Sequence, residues 1–239
     1  MAQEGHISRA SVSRHEEKYP ISFAQFSGLY SDLSSILIPD KHNYGTGYLI
    51  RSLYFDDFYD SAYFDKVDGN KDRAKLRLRT YSPDARSVKL ELKSKHGDAQ
   101  RKDTFTISRR DAERMIEKDY SVLEKYEGLP DMLLSNGIYI EGMRPVVLIE
   151  YKRLAFLHPV NDLRITLDSD IRSNETEFDL FGEAPLLYPA TDYYEALLEV
   201  KYNHFLFAWI GEVLAKYGLN REAYGKYNLS RHLLEETIY

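Results

Sequence analysis

Charged side chains recur at every second position along run after run of this chain. Arg73, Lys75, Arg77, Arg79 and Tyr81 alternate with Leu76 and Leu78, and Lys89, Glu91, Lys93 and Lys95 alternate with Leu90 and Leu92. Successive side chains of a β-strand point to opposite faces, so this period of two commits both segments to strands with one charged and one apolar face. The same spacing groups Tyr151 with Arg153, Arg164 with Thr166 and Asp168, Glu199 with Lys201, and Arg14 with Glu16 and Lys18. At least six strands thus present a charged face that is mostly cationic. An ordinary solvated sheet face mixes signs, because like charges directly across strands repel. A cationic face repeated from strand to strand calls for a polyanion to neutralise it. With helices on the apolar faces, the pattern fits an α+β fold with a mainly antiparallel sheet, whose charged face could line the inside of a closed barrel filled with water and anions. The plainer alternative is a two-faced sheet with its charged side in water.

The charge is concentrated. The net charge is −6, yet Lys71 to Lys102 holds eleven Lys/Arg against four Asp/Glu, a local +7 that leaves −13 elsewhere. A compact basic zone on an acidic protein fits a confined anion site, while the acidic whole argues against a general nucleic-acid binder. There is no cysteine, which excludes disulfides, thiolate zinc sites and a cysteine nucleophile. Apolar runs such as Val146 to Ile149 are far shorter than the ~20 residues of a membrane helix. Met1 to Arg14 is polar and has no apolar signal core. These features lead to the expectation of a cytoplasmic protein without a membrane span of its own.

Residues 1–13 read as a loose tail and residues 14–239 as a single domain. Strands are expected at 14–19, 48–55, 71–81, 87–95, 102–107, 146–156, 163–167 and 196–202. Helices are expected at 22–37, from the Ser108 cap to about 118, over 121–136, and from 204 to 217 between the Asn203 cap and Gly218. Phe205, Phe207 and Trp209 in that last helix read as core packing or a barrel plug. Asp56 and Asp57 read as turn residues, and the last twenty residues as partly helical.

The runs Tyr48 to Asp56, Lys66 with Asp68-Gly69, and Arg73 to Tyr81 carry a family likeness. It continues through Leu90 to Lys93, Glu150 to Phe156, Arg164 to Asp168 and Leu198 to Lys201. In this order they resemble the VTC domain, the polyphosphate-polymerase branch of the triphosphate tunnel metalloenzymes (CYTH-like). The resemblance spans about residues 14–227. It implies a closed antiparallel β-barrel of about eight strands with flanking helices, a tunnel whose basic lumen grips triphosphate or polyphosphate beside Mn²⁺ or Mg²⁺. Carried over by motif, Lys18, Arg77, Arg79, Lys93, Lys102, Arg153 and Arg164 would bind phosphate and Tyr151 would line the tunnel. Lys226 matches the lysine of a late Ser-Lys-aromatic motif, which here reads Gly225-Lys226-Tyr227. Glu199 would hold the metal, with Glu91 or Glu16 as helpers. Alternation alone adds Arg51, Lys75, Lys89 and Lys201, with Lys75 at the tunnel mouth.

Arginine suits such a site because its planar fork donates two hydrogen bonds to two phosphate oxygens. Hydrolases and cyclases of the wider superfamily open on a Glu-x-Glu-x-Lys strand that supplies paired carboxylates. Here that strand reads Arg14-His15-Glu16-Glu17-Lys18, with a cation in the first acidic place. The resemblance therefore implies transfer of the ATP γ-phosphate to a growing polyphosphate end. The alternatives are a tunnel triphosphatase acting on inorganic or nucleoside triphosphate, and a non-catalytic polyanion-binding module. Eukaryotic members carry membrane segments, so polymerisation coupled to export would require a separate membrane partner.

Overall fold

The computed structural model describes residues 8–11, 14–97, 99–190 and 194–231. Its centre is one antiparallel sheet. In chain order the long strands are β1 (Ser8–Ser11), β2 (Arg14–Ile21), β4 (Tyr48–Asp56), β5 (Arg73–Thr80), β6 (Ser87–His96), β7 (Ala99–Ser108), β8 (Arg144–His158), β9 (Leu163–Asn174) and β11 (Ala196–Asn203). Two short strands, β3 (Ile38–Pro39) and β10 (Tyr188–Pro189), pair with β8 and β9. Spatial order along the sheet is β1-β7-β6-β5-β4-β8-β9-β11-β2.

This path is open, which corrects the expectation of a closed eight-strand barrel. Among the described residues no ladder joins β2 to β1 or β7. The two ends of the path are nonetheless consecutive in sequence, separated only by residues 12 and 13. Side chains also span the seam: Lys93 of β6 lies 3.4 Å from Glu16 of β2. The curled sheet therefore encloses an interior without a backbone ladder to close it among the described residues. Ser8–Ser11 pairs with β7, so part of the stretch expected to be a loose tail is strand.

Helices cover the outside of the curl. α1 (Phe23–Ile36) begins at a reciprocal cap, with Ser22 and Gln25 each bonding the other's backbone. Leu29 and Leu33 of α1 pack with Ile210 and Leu214 of α5 (Ala208–Ala215) over Phe156, Ile165, Leu198 and Val200. α3 (Arg109–Ile116), capped by Ser108, and α4 (Leu129–Ser135) cover Leu76, Leu78, Leu90, Leu92 and Phe105. Each fully buried Leu or Phe contributes about 1.5–3 kcal/mol, so these outer layers can offset the cost of enclosing charge on the inner face.

Inside, α2 (Ser61–Val67) and α6 (Lys226–Leu229) fill one end, where Tyr63 and Tyr227 meet Tyr54, Val147, Ile149, Tyr151 and Leu197. The helix expected from residue 204 begins only at Ala208, because His204 takes a left-handed φ of 60° that ends β11 in a turn. Phe205 is 58% exposed and stacks edge-on with Phe207, so it neither packs the core nor plugs the lumen. Residues 232–239 of the expected C-terminal helix lie outside the described residues.

Candidate functional site

The inner face of the sheet gathers most of the candidate side chains through its register. Arg77 stands opposite Glu91, Lys75 opposite Lys93, and Lys93 opposite Lys102. On the other wall Arg153 stands opposite Asp168, Glu199 opposite both Thr166 and Lys18, and Lys201 opposite both Arg164 and Glu16. Two clusters result, each with buried carboxylates ringed by cations: one in the first, two in the second.

The first centres on Glu91. Its Oε2 accepts from Arg77 Nε at 2.7 Å and lies 3.6 Å from Arg79 Nη1, while Oε1 takes Lys102 at 2.5 Å. Burial alone would raise the Glu91 carboxyl, but Arg77, Arg79 and Lys102 outweigh it and hold it far below the usual carboxylate range. Arg77 also donates to Tyr54 Oη at 2.6 Å, and Arg79 to Ser52 Oγ at 3.2 Å. Lys89 shares this face and donates to Thr106. Both oxygens of Glu91 are thus engaged by cations, with Arg77 and Arg79 on one and Lys102 on the other.

The second cluster centres on Asp168 and Glu199. Asp168 is wholly buried, takes a two-pronged bond from Arg153 at 2.6 and 2.7 Å, and accepts from Lys226 at 2.6 Å. Tyr151 lies under both cations, 5.4 Å from the Arg153 guanidinium and 4.7 Å from Lys226. Glu199 pairs with Lys201 at 2.8 Å and lies 3.8 Å from Lys18 and from Arg153. Burial opposes its charge, but Lys201, Lys18 and Arg153 hold its carboxyl well below the ordinary range. Glu16 bonds Lys18 at 2.7 Å and lies close enough to Glu199 for each to feel the other's charge. Arg164 sits toward one mouth, 3.2 Å from Asp40 and from Tyr48 Oη.

Arg51 is not in this set. It projects from the opposite face of β4, pairs with Glu150 at 2.6 Å and donates to the carbonyls of Leu180 and Gly182. It ties an outer loop to the sheet, a correction to its place among the lumen cations. Asp168 was on the charged face in the sequence but absent from the candidate set; its signal was the facing Arg153. Thr166 shares that face, and its Oγ1 is buried without a hydrogen bond among the described residues.

Among the described residues no three acidic or histidine side chains form a self-sufficient metal cage. The donor set fits a hard divalent ion in another way. Glu199 and Glu16 supply two neighbouring carboxylates, the orphaned Thr166 hydroxyl lies opposite Glu199 in register, and magnesium sites commonly combine one or two carboxylates with phosphate oxygens.

Lys75 differs from the other cations. It donates to Asn228 at 2.7 Å and lies 4.4 Å from the centre of the Tyr227 ring. Burial, reinforced by Lys66, Arg73 and Lys18 and only partly opposed by Asp56, pushes its ammonium from 10.5 down to about 7. The unfolded chain therefore binds more protons than the folded one between about pH 7 and 10.5, and stability rises with pH across that window. Lys75→Met is expected to flatten this rise in thermal midpoints measured from pH 7 to 10. An unchanged pH dependence would contradict the assignment.

Residues 13–234 match the VTC domain family. The chain belongs to that family. No curated protein matches this VTC chain in sequence. Its fold is similar to that of a candidate adenylate cyclase from Bacillus halodurans, at 16% identity and TM-score 0.57, covering 90% of this chain and 95% of the other. A candidate adenylyl cyclase from Hippeastrum, described as having a dominant triphosphatase activity, aligns at 15% identity and TM-score 0.58 over 93% and 96%. The PH1819 protein of Pyrococcus horikoshii aligns at 13% identity and TM-score 0.50 over 93% and 99%. No helix among the described residues of the VTC chain is long and apolar enough to cross a membrane.

Proposed function

We propose that this protein transfers the terminal phosphate of ATP to a growing polyphosphate chain held along its cation-lined interior. The observation that carries the reading is the state of the interior carboxylates. Glu16, Glu91, Asp168 and Glu199 are each paired with cations, and each is held below the ordinary carboxylate range despite its burial. None is poised to take a proton from water near neutral pH. A terminal phosphate of polyphosphate is already ionised and needs no such base. What it needs is positioning and neutralisation of charge, the main tasks of an enzyme in phosphoryl transfer.

Arg77, Arg79, Lys102 and Lys93 would grip the phosphates from one wall, and Arg153, Lys226, Lys18 and Lys201 from the other. Arg153 and Lys226 are prealigned by Asp168, so little reorganisation is required when a phosphate enters between the walls. Glu199 and Glu16 would hold Mg²⁺ or Mn²⁺. Such an ion would supply positive charge to neutralise the charge that develops on the transferred phosphate.

A tunnel triphosphatase is the second reading, supported by the activity described for the Hippeastrum protein that shares the fold. The two differ in the fate of phosphate. With ATP, a divalent ion and a short polyphosphate primer, ADP is expected to form well in excess of free phosphate. Equal yields of ADP and free phosphate would overturn transfer in favour of hydrolysis.

A further inference from the structure

One mouth of the interior is aromatic as well as basic. β4 begins there at Tyr48, and the chain leaves β5 there at Tyr81. Both residues continue the inward-facing alternation of their strands, Tyr48 with Ser52 and Tyr54, Tyr81 with Arg77 and Arg79. Their ring centres are 6.4 Å apart at 46°, and His42 meets Tyr48 edge-on at 6.1 Å. Tyr81 is 50% exposed, so its side chain is accessible at this mouth.

The surrounding loop is built to hold this arrangement. Asn43 exchanges two hydrogen bonds with the backbone of Ala155 in β8, at 2.8 and 3.0 Å. Gly47 has φ +112°, and a Cβ there would lie 2.6 Å from the Arg153 carbonyl oxygen. Only glycine lets the loop lie so close to β8. The aromatic group is thereby fixed beside phosphate-binding chemistry: Tyr48 stands opposite Arg153 in register, and its hydroxyl accepts from Arg164 at 3.2 Å.

We propose that Tyr81, backed by Tyr48 and His42, is a stacking platform for the base of a nucleoside triphosphate whose phosphates run inward past Arg164 and Arg153. This rests on the reading of the interior as a triphosphate site and adds the part that distinguishes a nucleotide from a bare phosphate chain. Stacking uses the π-face that every base possesses, so the platform favours nucleotides over inorganic triphosphate without selecting strongly among bases. It also assigns a direction. The nucleotide enters by this mouth with its terminal phosphate deepest, toward Lys18, Glu199 and Lys226.

The test is binding of the β,γ-imido analogue of ATP and of inorganic triphosphate, measured by calorimetry on the full chain with Mg²⁺. Tyr81→Ala is expected to weaken the nucleotide analogue about ten-fold and to leave inorganic triphosphate unchanged, while Tyr81→Phe keeps the wild-type affinity for both. Tyr81 is half exposed and ends a strand, so the alanine variant is expected to fold; an unchanged thermal midpoint verifies this. Equal losses for the two ligands, or no loss for either, overturn the platform and leave the triphosphate site standing. Wild-type protein that binds neither ligand overturns the triphosphate reading and the platform with it.

Discussion

Glu199→Gln is expected to abolish turnover while leaving triphosphate binding intact or tighter. The side chain is only 8% exposed, and glutamine reproduces its shape without its charge. Removing that charge leaves Lys201, Lys18 and Arg153, at 2.8, 3.8 and 3.8 Å, with less to neutralise them, which favours an incoming polyanion. The loss falls on metal-dependent chemistry. Replacing groups that merely orient metal ligands costs about 10–100-fold, so with Glu199 as the proposed ligand kcat is expected to fall by at least about a hundred-fold. Measuring kcat together with the Kd for inorganic triphosphate separates the two effects. Retained turnover would remove Glu199 from the reaction, and a parallel loss of binding would mean that it organises the lysines instead.

Asp168→Ala is expected to be the most destabilising single change on the inner face. It strips the partner from Arg153 and Lys226, whose side chains are each only 12% exposed. Breaking a buried ion pair from one side costs about 3–5 kcal/mol. Arg153 and Lys226 keep some exposure, so the lower end of that range applies. For a chain of this length about 3 kcal/mol lowers Tm by roughly 6–12 °C. A triphosphate supplies the missing negative charge, so it should raise the Tm of the variant more than that of the wild type. Equal ligand-induced shifts in the two proteins would show that Arg153 and Lys226 do not face the bound anion.

The strands and their faces were legible because alternation is a local property, and Leu76, Leu78, Leu90 and Leu92 mark the apolar side without ambiguity. The same rule, applied fully, would have placed Arg51 correctly. It shares parity with Leu53 and Phe55, which pack on the outer core, whereas Tyr48, Ser52 and Tyr54 point inward. Openness of the sheet was not legible, because closure depends on pairing between the first and last strands of the path and leaves no periodic trace. The division of labour among acidic residues was also hidden. Glu91, Asp168 and Glu199 are alike in sequence, and only their partners distinguish Glu91 and Asp168 from Glu199, which shares its neighbourhood with Glu16. The loop that carries His42 has no periodicity at all; its one signal was Gly47, and the tight approach to Arg153 that explains it is a tertiary fact.

The most direct measurement follows the label from ATP carrying radioactive γ-phosphate, with Mn²⁺ and a short pyrophosphate or polyphosphate primer. Chains are resolved on a gel and free phosphate is counted in parallel. The expected result is label in a ladder of lengthening chains, ADP in matching amount and little free phosphate. Label recovered as free phosphate, with no chain longer than the primer, would contradict phosphate transfer to polyphosphate.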